Sequence, residues 1–355
     1  MICSTTTLLK LTQSVLLAFG CEDHEAQIVS EHLVGANLAG HDSHGIGMLP
    51  AYGAQVQDGN LIPNQTPEVV RRDGAITVVD AKRGFGHRMT LLALDEAMES
   101  LAEHRVAILA MKNTGHLSRT GQYAEYCAER GLVSLHFVNV IGHTPLVAPF
   151  GGRQSAFSTN PISMAMPVNN EAFPMLDMAT SSAAFGKVRV ASNKGEQIPE
   201  GWLLDADGHP TTDPKPMAEE HQGTLTAFGK HKGSGLAIFA ELLAGALVSE
   251  ETVATADWIP NGAINNLLSI IIDPEGIGNR ETIERSTRDF CDSIKNTPTT
   301  PDTANVLLPG EPEKISRKKR QEEGIDVDDE TLNQIVDIGC QFGLNETDLR
   351  HLIAS

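Results

Sequence analysis

Val106-Ala-Ile-Leu-Ala110 is an apolar run typical of a buried strand, and a polar turn leads from it to a predicted helix at about residues 122–130. A strand, a tight turn and a helix in this order carry the G-x-G-x-x-G phosphate loop of a Rossmann fold. That pattern follows none of the predicted strands. Gly84-Phe-Gly86 has no third glycine, and Gly233-Ser-Gly235 opens a helix with no strand before it. Any dinucleotide would have to be held by other backbone amides and side chains, for which helix N-termini are suited.

The pattern of apolar residues predicts helices and strands on both sides of this stretch. Upstream, we expect two helices before Gly40, a strand at 75–79 and a helix at 89–104. From about Leu132 to Asp213, apolar runs at 133–140, 162–166, 175–178 and 187–191 alternate with Gly, Pro and Asn, which predicts a sheet-rich region with long loops. Downstream, we expect a long helix from after Gly233 to Leu247, a strand at 268–272, a surface segment at 296–312 and helices at 330–342 and 346–353.

The chain is acidic, with 27 Lys and Arg against 46 Asp and Glu and a formal net charge of −19 over 355 residues. The length is typical of about two domains. The charge repels nucleic acid and anionic membranes, so the sequence predicts neither as a partner, and an anionic substrate would need a local group of basic side chains. A basic run at 314–320 is predicted to be a solvated helix face, because Gln321-Glu-Glu323 follows directly.

Cysteine usage and the N-terminal segment predict a cytoplasmic protein. The five cysteines are far apart and form no C-x-x-C pair, which favours reduced thiols. Leu8, Leu11, Val15 and Phe19 recur at helical spacing, and no basic residue precedes them, so this segment is interpreted as an amphipathic helix rather than a signal peptide. A transmembrane span would need about 18 uninterrupted apolar residues, and no stretch has them.

Histidines are concentrated in polar turns: His41-Asp-Ser-His44, His116, His143 and His231 all lie near Gly or Asn. Imidazole titrates near neutral pH and can give or take a proton, as carbonyl reduction and alcohol oxidation require. Turn histidines also often only cap helices or bond locally. His44 is the strongest catalytic candidate, because a hydroxyl at Ser43 precedes it and a glycine follows it.

Two other functions remain open at this point. The His41 and His44 spacing, with Asp42, suggests a zinc-dependent hydrolase, but Gly40 and Gly45 argue against the helix that would bring both rings to one metal. A non-catalytic binding protein would keep the helices and lose the chemistry. The absence of an H-E-x-x-H pattern makes zinc the lesser alternative, and we predict no metal.

A further candidate segment is Leu176-Asp-Met-Ala-Thr-Ser-Ser182, followed by Gly186-Lys187. An acidic residue at a strand end before small hydroxyl residues suits contacts to ribose hydroxyls or to a nicotinamide amide. Lys187 could meet a phosphate. The same residues are equally compatible with an ordinary strand end and turn.

Taken in order, these segments resemble the malate/L-lactate dehydrogenase family, which is distinct from the Rossmann-type enzymes. The resemblance spans nearly the whole chain. The matching motifs are Ala39-Gly-His-Asp-Ser-His-Gly-Ile46, Gly59-Asn-Leu-Ile-Pro63, Gly115-His116 to Gly121-Gln-Tyr123, Thr159-Asn-Pro161, Leu176-Asp-Met-Ala-Thr-Ser181 and His231-Lys-Gly233. Six motifs in one order are strong evidence for the family and weaker evidence for the substrate.

The resemblance implies a mixed α/β fold with α+β character. A non-Rossmann nucleotide-binding domain with a largely antiparallel sheet would be accompanied by a helical domain built from both termini. We place the N-terminal helical and mixed domain at 1–120, the nucleotide-binding domain at 121–295, and a C-terminal segment that packs on the N-terminal domain at 296–355. The resemblance also implies a homodimer.

For the site, the resemblance implies hydride transfer between NAD(H) and a small 2-hydroxy/2-oxo acid that is lactate-, malate- or aryl-lactate-like. His44 would be the proton donor with Ser43 beside it, His116 would lie by the nicotinamide, and Thr159 and Asn160 would line the substrate pocket. The cofactor-binding residues would be His44, Ser118, Arg119, Thr120, Asp177, Met178, Ala179, Thr180, Ser181, Lys187, His231, Asn266, Gly310, Glu311, Pro312 and Glu313. NAD is expected rather than NADP, because Glu311 or Glu313 would repel a 2′-phosphate.

Two positions depart from the family pattern. Many members have an arginine where this chain has Met48, and that guanidinium can bind a substrate carboxylate bidentately. We therefore expect the carboxylate to be held by Arg119, His143 or Lys187, and Met48 to favour a substrate less acidic than malate. The second departure is Ser118, which stands where a glycine is usual and changes how closely the backbone approaches the cofactor.

Overall fold

A computed structural model describes residues 1–169 and 171–354. The strands are β1 (Ile2–Cys3), β2 (Glu68–Asp73), β3 (Ile76–Asp80), β4 (Val106–Thr114), β5 (Val133–Ile141), β6 (Ile162–Val168), β7 (Glu171–Met178), β8 (Leu203–Leu204), β9 (Pro210–Thr211), β10 (Thr224–Leu225), β11 (Ile264–Ile272) and β12 (Ile325–Asp326). The helices are α1 (Thr5–Ala18), α2 (Asp23–Leu38), α3 (Leu49–Gln57), α4 (Gly86–Met98), α5 (Leu101–His104), α6 (Gly121–Ala128), α7 (Phe185–Lys194), α8 (Lys215–Ala218), α9 (His231–Ala240), α10 (Arg280–Lys295), α11 (Glu311–Glu323), α12 (Asp329–Gln341) and α13 (Glu346–Ala354).

A seven-stranded sheet forms the centre of the fold, in the order β2-β3-β4-β11-β5-β6-β7. The β3–β4 pair is parallel, and the other neighbouring pairs are antiparallel. This confirms the largely antiparallel, non-Rossmann sheet. Strands β4 and β11 pair antiparallel, with Ile108 opposite Ile270.

One face of the sheet packs against α4 and α6. Leu109 and Met111 of β4 and Leu267 of β11 are fully buried against residues of α4 such as Met89 and against Tyr123 of α6. Alternate residues along β4 are buried, as expected for a half-covered strand. This packing fixes the loop between β4 and α6, which contains His116.

A helical layer combines the two ends of the chain, as the resemblance implied. Leu8, Leu11 and Val15 of α1 are fully buried in one cluster with Ile335 and Val336 of α12. Full burial of each such side chain contributes roughly 1.5–3 kcal/mol. Strand β1 pairs with β12, Ile2 opposite Asp326, so the termini are also joined through their backbones.

Several elements differ from the sequence predictions. Residues 187–191 are helical in α7 rather than a strand, because only Val188 of this alternating run is buried, whereas Val190 remains exposed. The predicted helix at 89–104 is divided into α4 and α5. Strand β2, which is exposed along its length, and the polar helix α10 were not predicted.

The long helix predicted after Gly233 begins at His231 and continues beyond α9 as a π-helical segment, Glu241–Ala246. Gly233 permits this start, because a Cβ there would lie 1.9 Å from the carbonyl oxygen of Phe228. The predicted domain boundary after residue 120 divides the sheet, since β2, β3 and β4 precede it and belong to the same sheet as β5. In the part of the chain that is described, no helix has the length and apolar character to cross a membrane.

Candidate active site

The His44 turn, residues 41–45, connects α2 to α3 and contains a short 3₁₀ segment, Asp42–His44. The Ser43 hydroxyl lies 3.0 Å from His44 Nδ1. The Asn37 side chain supports the turn from inside, because its Oδ1 accepts the Ile46 N–H at 2.9 Å. Gly45 is required by this contact, since a Cβ there would lie 2.1 Å from Asn37 Oδ1.

The His116 turn, residues 115–119, follows β4 and brings a second imidazole to the first. The rings of His44 and His116 stack with centroids 5.8 Å apart and an angle of 20° between their planes. Leu117 N–H donates to Asn265 Oδ1 on β11 at 2.8 Å, and Gly115 N–H donates to the Gly84 carbonyl at 2.9 Å. The sequence predicted both histidines, and the structure brings them together from turns 72 residues apart, 116 against 44.

Both imidazoles are neutral at physiological pH. Burial lowers the pKa of His44 to about 4, Asp177 opposes this change, and His41, Arg119 and Lys187 add to it. Burial also lowers the pKa of His116 far below its usual range, with smaller contributions from His44, His87 and His143. A neutral imidazole can accept a proton from a bound hydroxyl group, and the imidazolium that forms can return this proton to a carbonyl oxygen.

Tyr52 of α3 is a site residue that the sequence analysis missed. Its side chain is 1% exposed, and its hydroxyl lies 2.9 Å from His116 Nδ1. Burial raises the pKa of Tyr52 well above its usual range, so the hydroxyl keeps its proton, and His116 Nδ1 is its one hydrogen-bond partner among the described residues. The only sequence signal is that Tyr52 lies about one helical turn after Met48, the residue that precedes α3.

Helix α11 holds the His44 turn from outside. Arg320 binds both oxygens of Asp42, at 2.6 and 2.9 Å, and Glu313 Oε1 lies 3.3 Å from His41 Nε2. Ser316 donates its hydroxyl to the Leu38 carbonyl at 2.9 Å. The basic run at 314–320 therefore lies on a helix, as predicted, but the face is not solvated throughout, because Arg317 binds Glu125 and Arg320 binds Asp42.

Arg119 is not available to a substrate carboxylate, so that prediction is wrong. Its guanidinium is fully buried between two carboxylates, 3.0 Å from each oxygen of Glu125 and 3.1 Å from Asp177 Oδ2. A buried arginine is stable only when it is paired in this way. Of the other two candidates for carboxylate binding, His143 has a lowered pKa through burial and is uncharged at neutral pH.

The Asp177 side chain is also turned into the protein rather than towards a ribose. Its second oxygen accepts the Thr120 hydroxyl at 3.0 Å. The carboxylate lies against the first turn of α6, since a Cβ at Gly121 would be 2.5 Å from Asp177 Oδ2. The N-terminus of α6 is thus neutralised by the protein's own carboxylate, which leaves it unsuited to hold a pyrophosphate.

The Thr159 and Asn160 loop reaches the same region from β6. Thr180 donates its hydroxyl to the Thr159 carbonyl at 2.8 Å, and Ser158 contacts His143 Nε2 at 3.3 Å. Asn160 donates to Glu241 Oε2 at 2.8 Å, while its own Oδ1 is buried and has no partner among the described residues. Such an orphaned amide oxygen is suited to accept a hydrogen bond from a carboxamide N–H of a ligand.

The remaining predicted cofactor residues fall into two groups. Asn266 uses its amide internally, with Asn113 N–H at 2.9 Å and Asn139 Oδ1 at 3.0 Å, and Glu311 pairs with Lys295. His231 is exposed at the start of α9, and Lys187 is exposed at the start of α7. Among the described residues Lys187 has no ion-pair partner.

The other predicted cofactor residues lie in connecting segments. Gly310 precedes α11 in a left-handed conformation, and Met178, Ala179 and Ser181 lead from β7 towards α7.

Comparison with known proteins assigns the chain to a family. The family model described as malate/L-lactate dehydrogenase matches residues 3–336 of this chain. The chain belongs to the malate/L-lactate dehydrogenase family. It is 41% identical to hydroxycarboxylate dehydrogenase B of Escherichia coli, over 97% of this chain and 95% of that protein, and 36% identical to L-lactate dehydrogenase of Cupriavidus necator, over 88% and 90%. An E. coli structure described as a malate/lactate dehydrogenase superposes with a TM-score of 0.94 at 40% identity and covers all of both chains.

Membership of the malate/L-lactate dehydrogenase family gives no support to the zinc-hydrolase alternative. His41 contacts Glu313 and His44 contacts Ser43, so the two rings have different partners. Across residues 1–169 and 171–354, no three His, Cys, Asp or Glu side chains are grouped to hold a metal ion.

Met48 and Ser118 are the two positions where the resemblance implied a different residue. Met48 follows the His44 turn and is partly buried against the core of the helical layer. Ser118 lies in the His116 turn and has a φ of 57°, a left-handed conformation that glycine adopts freely. Its hydroxyl donates to the His44 carbonyl at 2.6 Å.

Proposed function

We propose that this chain catalyses reversible hydride transfer between NAD(H) and C2 of a small 2-hydroxy/2-oxo carboxylic acid. The observation that carries the proposal is the stacked pair of His44 and His116, 5.8 Å apart, each with a hydroxyl on its Nδ1. With Nδ1 bound, the Nε2 edge of each ring is free for a substrate. Family membership supports the same reaction class.

In this proposal, His44 handles the proton at the substrate oxygen. It accepts the hydroxyl proton in oxidation and returns it to the carbonyl oxygen in reduction, with Ser43 holding the ring. Tyr52 keeps the His116 proton on Nε2, so that His116 donates a hydrogen bond to the same oxygen or to the carboxylate. Positioned acid–base catalysis of this kind contributes about 10²–10⁴-fold to the rate.

The residues present fit a nicotinamide cofactor. When bound, it supplies or accepts the hydride. The orphaned Asn160 Oδ1 would take the carboxamide N–H, and the backbone of 178–181 and of 118–120 would line the same pocket. The exposed start of α9, with Lys230, His231 and Lys232, offers free N–H groups and positive charge for the pyrophosphate. NAD is proposed over NADP because the Glu311 and Glu313 carboxyls, whose pKa values are lowered, remain charged.

Lys187 is proposed to hold the substrate carboxylate. A Cβ at Gly186 would lie 3.0 Å from Ser43 Cβ, so the first turn of α7 packs directly on the His44 turn. Lys187 lies close enough to His44 to lower its pKa. With Met48 where the resemblance implies an arginine, the exposed ammonium of Lys187 favours monocarboxylic substrates of lactate or aryl-lactate type over malate.

We also propose a homodimer and a cytoplasmic location. Leu236, Phe239, Leu242 and Leu247 form an exposed apolar stripe along α9 and its π-helical extension, and Phe239 is 63% exposed. A stripe of this size on a soluble enzyme is typical of an interface. All five cysteines are free thiols, as expected in a reducing compartment.

The test is a panel of 2-oxo acids assayed with NADH and with NADPH, followed by loss of the reduced cofactor's absorbance. We expect His44→Ala to lower kcat at least about a hundredfold and to leave the Kd of NADH within a few-fold. His24→Ala, at an exposed position on α2, is the matched control. A His44→Ala variant with full activity would refute the role of His44, and a preference for NADPH would refute the choice of cofactor.

A further inference from the structure

We infer that Ser118 is a positioning residue whose hydroxyl sets the spacing of the His44 turn and the His116 turn. Its Oγ donates to the backbone carbonyl oxygen of His44 at 2.6 Å. This inference rests on the proposed function, because it gives the bond a part in aligning the two imidazoles. It adds a role for the side chain at a position where only the backbone was expected to approach a ligand.

The backbone at Ser118 shows that the side chain is retained at a cost. Its φ of 57° lies in the left-handed region, which L side chains other than Asn and Asp rarely occupy and which glycine adopts freely. The side chain is only 4% exposed, so solvent does not explain its presence. Compared with glycine, serine adds a CH₂OH group at this position, and its hydroxyl is bonded to the backbone carbonyl of His44.

The two turns have most of their anchors in different parts of the molecule. The His44 turn is held by Asn37 of α2 and by Arg320 of α11, both in the helical layer. The His116 turn is held by Asn265 of β11, in the sheet. Two side-chain bonds also join the layers: His32 Nε2 to the Arg119 carbonyl at 3.2 Å, and the Tyr52 hydroxyl to His116 Nδ1 at 2.9 Å. The Ser118 bond links the His116 turn directly to the backbone of His44.

Misplacement of reacting groups by about 1 Å can cost up to about a hundredfold in rate. We therefore expect Ser118→Ala and Ser118→Gly each to lower kcat by about 5- to 30-fold, with the Kd of NADH unchanged within threefold. The deuterium isotope effect on kcat, measured with NADH carrying deuterium at the transferred position, should rise in both variants because hydride transfer becomes slower relative to product release.

The glycine variant separates positioning from packing. Glycine relieves the left-handed backbone and removes the hydroxyl, whereas alanine keeps the unfavourable conformation and removes the hydroxyl. If Ser118 only fills space, Ser118→Gly should be at least as stable and as active as the wild type. A Ser118→Gly enzyme with kcat within twofold of the wild type would therefore overturn the inference.

Amide hydrogen exchange of the cofactor-free full-length chain provides a readout that does not depend on activity. We expect faster exchange in the segments 44–47 and 117–120 of both variants, and unchanged exchange there in either variant would overturn the inference. If the wild type is inactive on the panel of 2-oxo acids, the proposed function fails on its own, and exchange alone decides whether the hydroxyl holds the turns together.

Discussion

The Tyr52 hydroxyl and His116 Nδ1 are 2.9 Å apart, and this is the one hydrogen bond of either side chain among the described residues. Both groups are uncharged, because burial raises the pKa of the tyrosine and lowers that of the histidine. The phenol proton has no other acceptor there, so the arrangement that leaves it bonded is donation to Nδ1. The neutral His116 ring must then carry its own proton on Nε2. One buried phenol thus decides which edge of the imidazole is the donor.

The first prediction follows from this fixed tautomer. Tyr52→Phe removes the donor and keeps the ring, so His116 becomes free to carry its proton on either nitrogen. We expect kcat/KM for a 2-oxo acid to fall about tenfold, close to the loss of one hydrogen bond to a polar group, with a small change in thermal stability. Steady-state kinetics and a melting curve test this. An unchanged kcat/KM would show that the tautomer of His116 has no part in the reaction.

The second prediction concerns the ion pair between Arg320 and Asp42. Arg320→Met removes the two hydrogen bonds from α11 to Asp42 in the His44 turn and leaves the Glu313 contact with His41, and we expect kcat to fall severalfold. Asp42 is half exposed, so the free energy of unfolding should fall by only about 0.2–1 kcal/mol.

Arg72→Met is the matched control for Arg320→Met. Arg72 bridges Glu96 and Glu99 at the surface, and neither carboxylate belongs to the His44 turn or to the His116 turn. We expect Arg72→Met to lose a similarly small amount of stability and to keep full activity. Equal activities of the two variants would mean that the ion pair between Arg320 and Asp42 stabilises the fold and has no effect on the reaction.

How much of this site the sequence predicted depends on how local each contact is. His44 with Ser43 and Gly45 is a contiguous motif, and the chemistry of the turn follows from adjacent residues. Tyr52 is 64 positions from its partner His116, and Arg320 is 278 from Asp42. No spacing rule connects such positions, because tertiary packing alone brings them together.

The same reasoning applies to the fold and to the charged candidates. Strands β4, β5 and β11 were predicted because each contains a long apolar run, whereas the edge strand β2, which is exposed along its length, has no such signal. Arg119 was misassigned because the sequence does not reveal which cations are already neutralised. Its partner Asp177 lies 58 residues away, 177 against 119, and the pair leaves Lys187 as the exposed cation beside His44.

The third prediction is a pH dependence. In the oxidation of a 2-hydroxy acid His44 must be neutral, and burial lowers its pKa to about 4. In the pH profile of kcat/KM, the acidic limb should therefore have its midpoint near pH 4 rather than near about 6.5, the usual pKa of histidine. The positive charge of Lys187 disfavours the imidazolium, so Lys187→Met should raise the pKa of His44 and move the limb to higher pH.

Lys187→Arg is the control for this shift, because it keeps the charge and should leave the limb in place. Lys187→Met should also raise the KM of the hydroxy acid, since the proposed carboxylate partner is lost. Asp177, His41 and Arg119 also face His44 and are unchanged in both variants. A limb that stays in place or moves to lower pH in Lys187→Met would contradict the placement of Lys187 beside His44.

The last prediction tests the proposed dimer through the apolar stripe on α9. Phe239 is 63% exposed within it, and a carboxylate in the centre of an apolar interface would lose its hydration without gaining a partner. We expect Phe239→Glu to convert the dimer to a monomer in light scattering coupled to size exclusion. Ile277→Glu, at a position 78% exposed in the turn before α10, should remain dimeric. Because α9 begins at His231 and carries the residues proposed to meet the pyrophosphate, we also expect the monomer to bind NADH more weakly. A Phe239→Glu protein that stays dimeric would place the interface on another surface.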